Sequence, residues 1–335
     1  MIFSSILALL LHITLVLALP SKNLTLPPPN LAPRGAGSRQ AGPWPRSSNG
    51  ISYIRYCFLD AQLRGTDRIF RAVTSGITAW HNAVGSHVRF YEEANTDGTP
   101  KYCVVNNQWN PQLTGDVLKL IRGPGFQATI GWEPNAGPDA FKLSVADLGE
   151  ARYQAMVWSA THELGHVLGM LHEHQRPDRD LYLKVDYRNV LGMPEALQRF
   201  RTEVLQASQA QNIQYTAEQL ATYTQQLDSQ FFEVYRANPT SMQRFGVPNS
   251  IRDLLDSRSS FASMGPFDSK SIMMYEGNAY GADPNGCRND LRTCTMALYN
   301  VPGNPSQGVR YLERNLGISA GDRAWVVAYY SAQRR

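Results

Sequence analysis

The chain has 335 residues, 43% of them hydrophobic and 18% charged, with a formal net charge of +4. That length and composition suit one large domain with a sizeable core and some extra segments. No Lys/Arg block occurs anywhere, so binding to nucleic acid or to a membrane surface has no compositional support.

Met1 to Leu19 is almost wholly apolar and ends in the small-residue pattern Val16-Leu17-Ala18. Residues 1–18 are therefore expected to be a cleaved signal peptide, which makes the protein secreted and extracellular. Residues 19–45 contain Pro27-Pro28-Pro29 and no apolar periodicity, the marks of a pro-segment or linker. Asn23-Leu24-Thr25 has the form of an N-glycosylation acceptor. Residues 46–335 read as one folded domain.

Ile51 to Leu59 has the alternation of a strand, and Arg68 to Val84 carries Ile69, Phe70, Val73, Ile77 and Trp80 at helical spacing. His87–Tyr91, Lys101–Asn106, Ala128–Trp132 and Phe141–Val145 are expected to be short strands, each bounded by turn residues. Gln154 to Gly169 is expected to be a second helix lying on a twisted mixed sheet. Between Met193 and Phe261 the composition shifts to Gln, Ser and Thr with helical spacing, which predicts a helical insertion. Leu316 to Tyr330 is a last amphipathic helix, with Asp322 near its start.

Four cysteines allow three pairings, and an even count suits an oxidising compartment. We favour Cys287 with Cys294, which closes a short loop, and Cys57 with Cys103, which joins two predicted strands of one sheet. The cysteines lack the close pairs of a zinc site.

Four of the seven histidines fall between His162 and His174. His162 and His166, four apart on a helix, share a face and offer two neighbouring corners of a zinc tetrahedron. Glu163 stands beside them, placed to reach a water on the metal. A straight helix cannot deliver His172, but Gly169 accepts the turned backbone that brings the chain back. Three nitrogen ligands leave one position open, which marks a catalytic rather than a structural zinc site. In that chemistry zinc lowers the pKa of its water from about 15.7 toward roughly 7, and Glu163 accepts the proton and passes it to the leaving amine. The pattern HExxHxxGxxH is the metzincin signature. His174 reads as a packing or surface residue, and His81 and His87 as structural.

The stretch HELGHVLGMLHEHQRPDRDLYL, beginning at His162, closely resembles the signature of the astacin family. Ser271-Ile272-Met273-Met274-Tyr275 is similar to that family's Met-turn, S-x-M-H-Y. The resemblance implies a zinc metalloendopeptidase with one Zn2+ per chain, acting on protein or peptide substrates; a monomer is expected, though nothing in the sequence speaks to oligomeric state. It implies an α+β, two-lobed domain: a twisted five-stranded mixed sheet with two long helices above the cleft, and an irregular lower lobe with a C-terminal helix and here a helical insertion, 193–261. Met273 would lie beneath the zinc, and Tyr275 would be a further ligand that swings away to stabilise the tetrahedral intermediate. Substrate would pair with an edge strand, for which Ala128–Trp132 is the candidate. Glu173 would hold a new N-terminus made by cleavage after Arg34 or Arg39. The chain departs from the pattern in Met274, in the long span from His172 to Met273, and in having no Asp before Asp60 to enforce latency. A secreted binding protein without turnover is the competing reading, and retention of Glu163 argues against it.

Overall fold

The computed structural model describes residues 41–332 apart from 211–213, 238–241, 249–250, 252–253, 255–264 and 284. The signal peptide, most of the linker, Asn23, Arg34, Arg39 and the end of the insertion lie outside the described residues.

Strand β1 (Ser52–Phe58) turns Ile54, Tyr56 and Phe58 inward. Helix α1 (Asp67–Val84) follows and buries Ile69, Val73, Ile77, Trp80 and Val84, the stripe its spacing predicts. The chain then forms β2 (Val88–Glu92), a two-residue hairpin of β3 (Val104–Val105) and β4 (Gln108–Trp109), then β5 (Leu118–Arg122), β6 (Gln127–Ala128) and β7 (Lys142–Val145). Five of these make one sheet in the order β2-β1-β5-β7-β6. All neighbours run parallel except β6, which pairs antiparallel with β7 through Gln127–Ser144 and Ala128–Leu143.

Three expectations need correction. The central strand β5 lies outside the expected strands, because Leu-Lys-Leu-Ile-Arg is short and follows a loop rich in turn residues. Lys101–Asn106 is not a strand of the main sheet. Asn106 and Asn107 have φ of 51° and 61°, the left-handed pair that closes a tight hairpin between β3 and β4. Of Ala128–Trp132 only Ala128 lies in the β6–β7 ladder, while Trp132 bridges to Gly42 instead.

The disulfides are Cys57–Cys103 and Cys287–Cys294, as expected. The first ties β1 to the segment entering the small hairpin, not to a second strand of the main sheet. Trp44, within the expected linker, is buried, and its indole N–H donates to the Val167 carbonyl at 2.8 Å.

Helix α2 (Tyr153–Val167) crosses α1 at Gly76, where a Cβ would lie 3.0 Å from Thr161 Oγ1 and 3.1 Å from Leu164 Cδ1. Trp80 Nε1 donates to the Thr161 carbonyl at 2.9 Å across the same contact. The later chain adds β8 (Leu183–Val185), the insertion helices α3 (Met193–Ala210) and α4 (Ala217–Ala237), β9 (Met296–Tyr299), β10 (Val309–Arg310) and α5 (Ala320–Ser331). Strands β8, β9 and β10 form a three-stranded antiparallel sheet. Helix α5 starts four residues later than Leu316 because Ser319 is its cap: Ser319 Oγ accepts from Asp322 N and Asp322 accepts from Ser319 N.

The architecture is α+β with two large apolar cores among the described residues, besides a small cluster of Leu113 and Val117 around the Cys57–Cys103 disulfide. One fills the space among the main sheet, α1, α2 and α5, and includes Ile272 and Met273. The other gathers Leu183, Met193, Leu197, Phe231, Met296 and Met274 around the insertion.

Candidate metal centre

Helix α2 carries His162 and His166 on its last turns, where Ala160 to Val167 are all buried. Its end is a Schellman motif: Gly169 N donates to the His166 carbonyl at 2.8 Å and Met170 N to the Gly165 carbonyl at 3.0 Å. Gly169 has φ of 102°, and a Cβ there would also lie 3.0 Å from the Tyr329 ring. Only glycine fits both demands. The chain reverses and His172, in extended conformation, comes back toward the helix face.

The three imidazoles converge. His172 Nε2 lies 3.2 Å from His162 Nε2 and 3.1 Å from His166 Nε2. The other nitrogens of the two helix histidines are fixed: His162 Nδ1 is 2.8 Å from the Ile272 carbonyl and His166 Nδ1 is 2.8 Å from the Met170 carbonyl. A carbonyl only accepts, so each Nδ1 carries the proton and each Nε2 presents a lone pair to the common point. Lone pairs converging from His162 and His166 are repulsive unless a cation lies among them. Three nitrogens about 2.05 Å from one tetrahedral ion sit roughly 3.3 Å apart, close to the spacing found. The donor set therefore fits Zn2+, and these three residues are able to hold a metal ion.

Glu163 is buried on the same turn, and burial pushes its carboxyl up to about 8, opposed by the Ala128 backbone N–H. A neighbouring cation draws such a carboxyl back down. Glu163, His166, His172, Tyr275, Gln175 and Ala128 line one cavity of about 400 Å³. The Tyr275 ring lies 4.4 Å from that of His172, centre to centre, and 4.6 Å from that of His174. His174 is fully buried, so it is a packing residue. His81 is structural, accepting from Phe90 N at 2.9 Å, and the His87 ring meets the Ser86 hydroxyl while its carbonyl accepts from Ser52 N at 2.9 Å.

Met273 lies fully buried under this helix, and a Cβ on Gly165 would come 2.6 Å from its sulfur. Glu173 pairs with Arg176 at 3.0 Å and accepts from Asp268 N at 2.8 Å. Burial raises its carboxyl to about 7, with Arg176 pulling the other way.

Sequence reasoning missed the two carbonyls that orient the histidines, since every residue has one and only the fold selects which is near. It also missed Tyr280, which lines the cavity and holds φ of 60°. No side-chain pattern marks it.

A tris-imidazole centre closed by a glycine-ended helix, set above a buried methionine turn in an α+β frame, is that of the metzincin class of zinc peptidases. The model of the Astacin peptidase family matches residues 87–247, which include the three histidines and stop before Met273. Over that stretch, a little under half of its length, the chain is similar to the astacin family. It is 36% identical over 79 residues to Astacin-like metalloprotease toxin 4 of Loxosceles laeta, covering 23% of this chain and 61% of that protein. With Zinc metalloproteinase nas-12 of Caenorhabditis elegans it shares 53% identity over 36 residues, 11% of this chain and 9% of that protein. The chain thus spans less than two thirds of the length of either relative. The solved structure of High choriolytic enzyme 1, a hatching enzyme zinc-protease from Oryzias latipes, aligns with a TM-score of 0.49 and 16% identity, over 86% of this chain and 94% of that one.

Proposed function

We propose that the chain is a secreted, monomeric zinc endopeptidase that hydrolyses peptide bonds of protein substrates, with one Zn2+ held by His162, His166 and His172. The observation that carries this is that His172 Nε2 lies 3.2 Å from His162 Nε2 and 3.1 Å from His166 Nε2, with Glu163, His166 and His172 lining one cavity. Zinc, when bound, supplies a Lewis acid that acidifies water and polarises a carbonyl. Glu163 is the general base: its carboxylate takes a proton from the attacking water and returns it to the leaving amide nitrogen. Tyr275 donates its phenol proton to the oxyanion of the tetrahedral intermediate. Strand β6 is the edge of the main sheet and lines the cavity, so an extended substrate adds to it by backbone hydrogen bonds. No helix among the described residues is long and apolar enough to cross a membrane.

Latency, if imposed by residues 19–45, works without an aspartate ligand. Cleavage after Arg34 or Arg39 would release it, and N-terminal sequencing of the secreted protein would show whether Pro20–Arg39 is removed. The main test is hydrolysis of casein and a fluorogenic peptide by the purified protein, with and without 1,10-phenanthroline, beside Glu163→Gln. Chelator-sensitive cleavage that vanishes in Glu163→Gln is expected. Cleavage that persists in phenanthroline would sink the reading. Bound zinc without any cleavage would favour a binding protein.

A further inference from the structure

Asp322, in the first turn of α5, is only 2% exposed and takes no part in the hydrolysis proposed above. A buried carboxylate is costly unless its lone pairs are met by donors. Here three donors meet them: Ser271 Oγ at 2.5 Å, Ile272 N at 2.8 Å and Ser319 N at 2.9 Å. Burial pushes this carboxyl above its usual range while those donors pull it down.

The helix cap explains only one of the three. Ser319 and Asp322 already satisfy each other's backbone N–H groups, the full requirement of a capping box. The other two donors come from the turn under the histidines, some fifty residues away in sequence. Ser271 Oγ, while donating to Asp322, also accepts from Met273 N at 3.0 Å. The turn so held reaches the metal centre at two points. The Ile272 carbonyl takes the Nδ1 proton of His162 at 2.8 Å. The Met273 carbonyl accepts from Glu173 N, the residue after His172, at 3.1 Å.

We propose that Asp322 is a positioning residue for the metal centre, fixing the 271–273 turn so that its carbonyls set the ring of His162 and the backbone at His172. A carboxylate suits the task because it only accepts, and all three groups facing it donate. The inference rests on the zinc site proposed above. Groups that orient a ligand imidazole typically change metal affinity about 10–100-fold when lost.

Three variants of the full chain separate this role from plain helix capping. Ser271→Ala removes the side-chain link to the turn, keeps the one from Ile272 N, and leaves the cap. Ser319→Ala removes the cap's hydroxyl and leaves the turn. Asp322→Ala removes both. For each, zinc affinity is measured by competition with a chromophoric chelator, and thermal unfolding is followed on the zinc-free protein. We expect Ser271→Ala and Asp322→Ala to weaken zinc binding on the order of 10-fold or more. Ser319→Ala should lower the zinc-free Tm yet bind zinc like the parent. Affinity that simply follows zinc-free Tm across the variants, or parental affinity in Ser271→Ala, overturns the proposal. Should Asp322→Ala fail to fold, Ser271→Ala against Ser319→Ala still decides it. A parent chain that binds no zinc overturns this inference together with the zinc site, whereas a zinc-binding parent with unaltered Ser271→Ala overturns this one alone.

Discussion

Ile272 and Met273 pack into the core beneath the main sheet, while Met274, the next residue, packs into the core around the insertion. The first core is assembled from a mostly parallel sheet and helices whose apolar stripes are continuous in sequence. The second is assembled from short pieces scattered from Leu183 to Leu312. The metal centre draws its histidines from the first and is floored by the turn at which the chain passes to the second. Chemistry and insertion are thus joined by covalent continuity across three residues. Substitutions on the two sides should separate stability from metal binding and turnover in different ways.

The largest effect belongs to the centre itself. Glu163→Gln should reduce kcat about 10²–10⁴-fold while zinc content by elemental analysis stays at the parent level. A Gln variant that loses its zinc would mean that the carboxylate also supports the ligand shell. Next come the two disulfides, one per region. The Cys57–Cys103 pair closes 46 residues and the Cys287–Cys294 pair only 7. Loop-closure entropy then gives roughly 4 kcal/mol for replacing the first with alanines and roughly 2.5 kcal/mol for the second. Denaturant melts of both double variants would rank them, and the reverse order would show that the insertion side carries more of the cooperativity.

Gly165→Ala tests the contact between helix α2 and the methionine turn. Its Cβ would meet the buried Met273 sulfur, so overpacking should cost about 1–3 kcal/mol and weaken zinc retention as well. A stable variant with parental zinc affinity would show that the turn can slide without moving the histidines.

The smallest effects are ion pairs, again one in each region. Asp147 joins Arg68 of α1 to Arg122 of β5, and Asp228 of α4 binds Arg201 of α3 at 2.5–2.7 Å. Arg201→Met should cost no more than about 1 kcal/mol and leave peptide hydrolysis unchanged. The hydrogen bond from Arg68 holds the Asp147 carboxyl below its ordinary value of 3.8. A lowered folded-state value means that its stabilisation is present above that pH and is lost as pH falls through the folded value. Melts of Asp147→Asn and parent should therefore differ slightly at neutral pH and converge in strong acid.

Much of the centre was legible because it is local. His162, Glu163 and His166 lie within one turn and a half of helix, and Gly169 marks the reversal, so helical geometry alone brings two imidazoles together and predicts the return of the third. The stripe of α1 is local in the same sense. The inner strand β5 was not legible. A five-residue run gains its identity from the neighbours on both sides, Tyr56 of β1 and Leu143 of β7 among them, and those pairings are long-range. The hairpin at Asn106 was hidden likewise, since an Asn pair can turn or extend until its flanks are placed.

By itself the sequence determined the types and spacing of the three histidines, the glutamate beside them and the family signature that these make up. Tertiary structure decided which backbone carbonyls orient His162 and His166, and that Asp322 reaches the turn as well as its own cap. The reason is physical: helix spacing and glycine torsion are fixed by near neighbours along the chain. A hydrogen bond between Asp322 and Ile272 exists only after the sheet, α2 and α5 have closed around them.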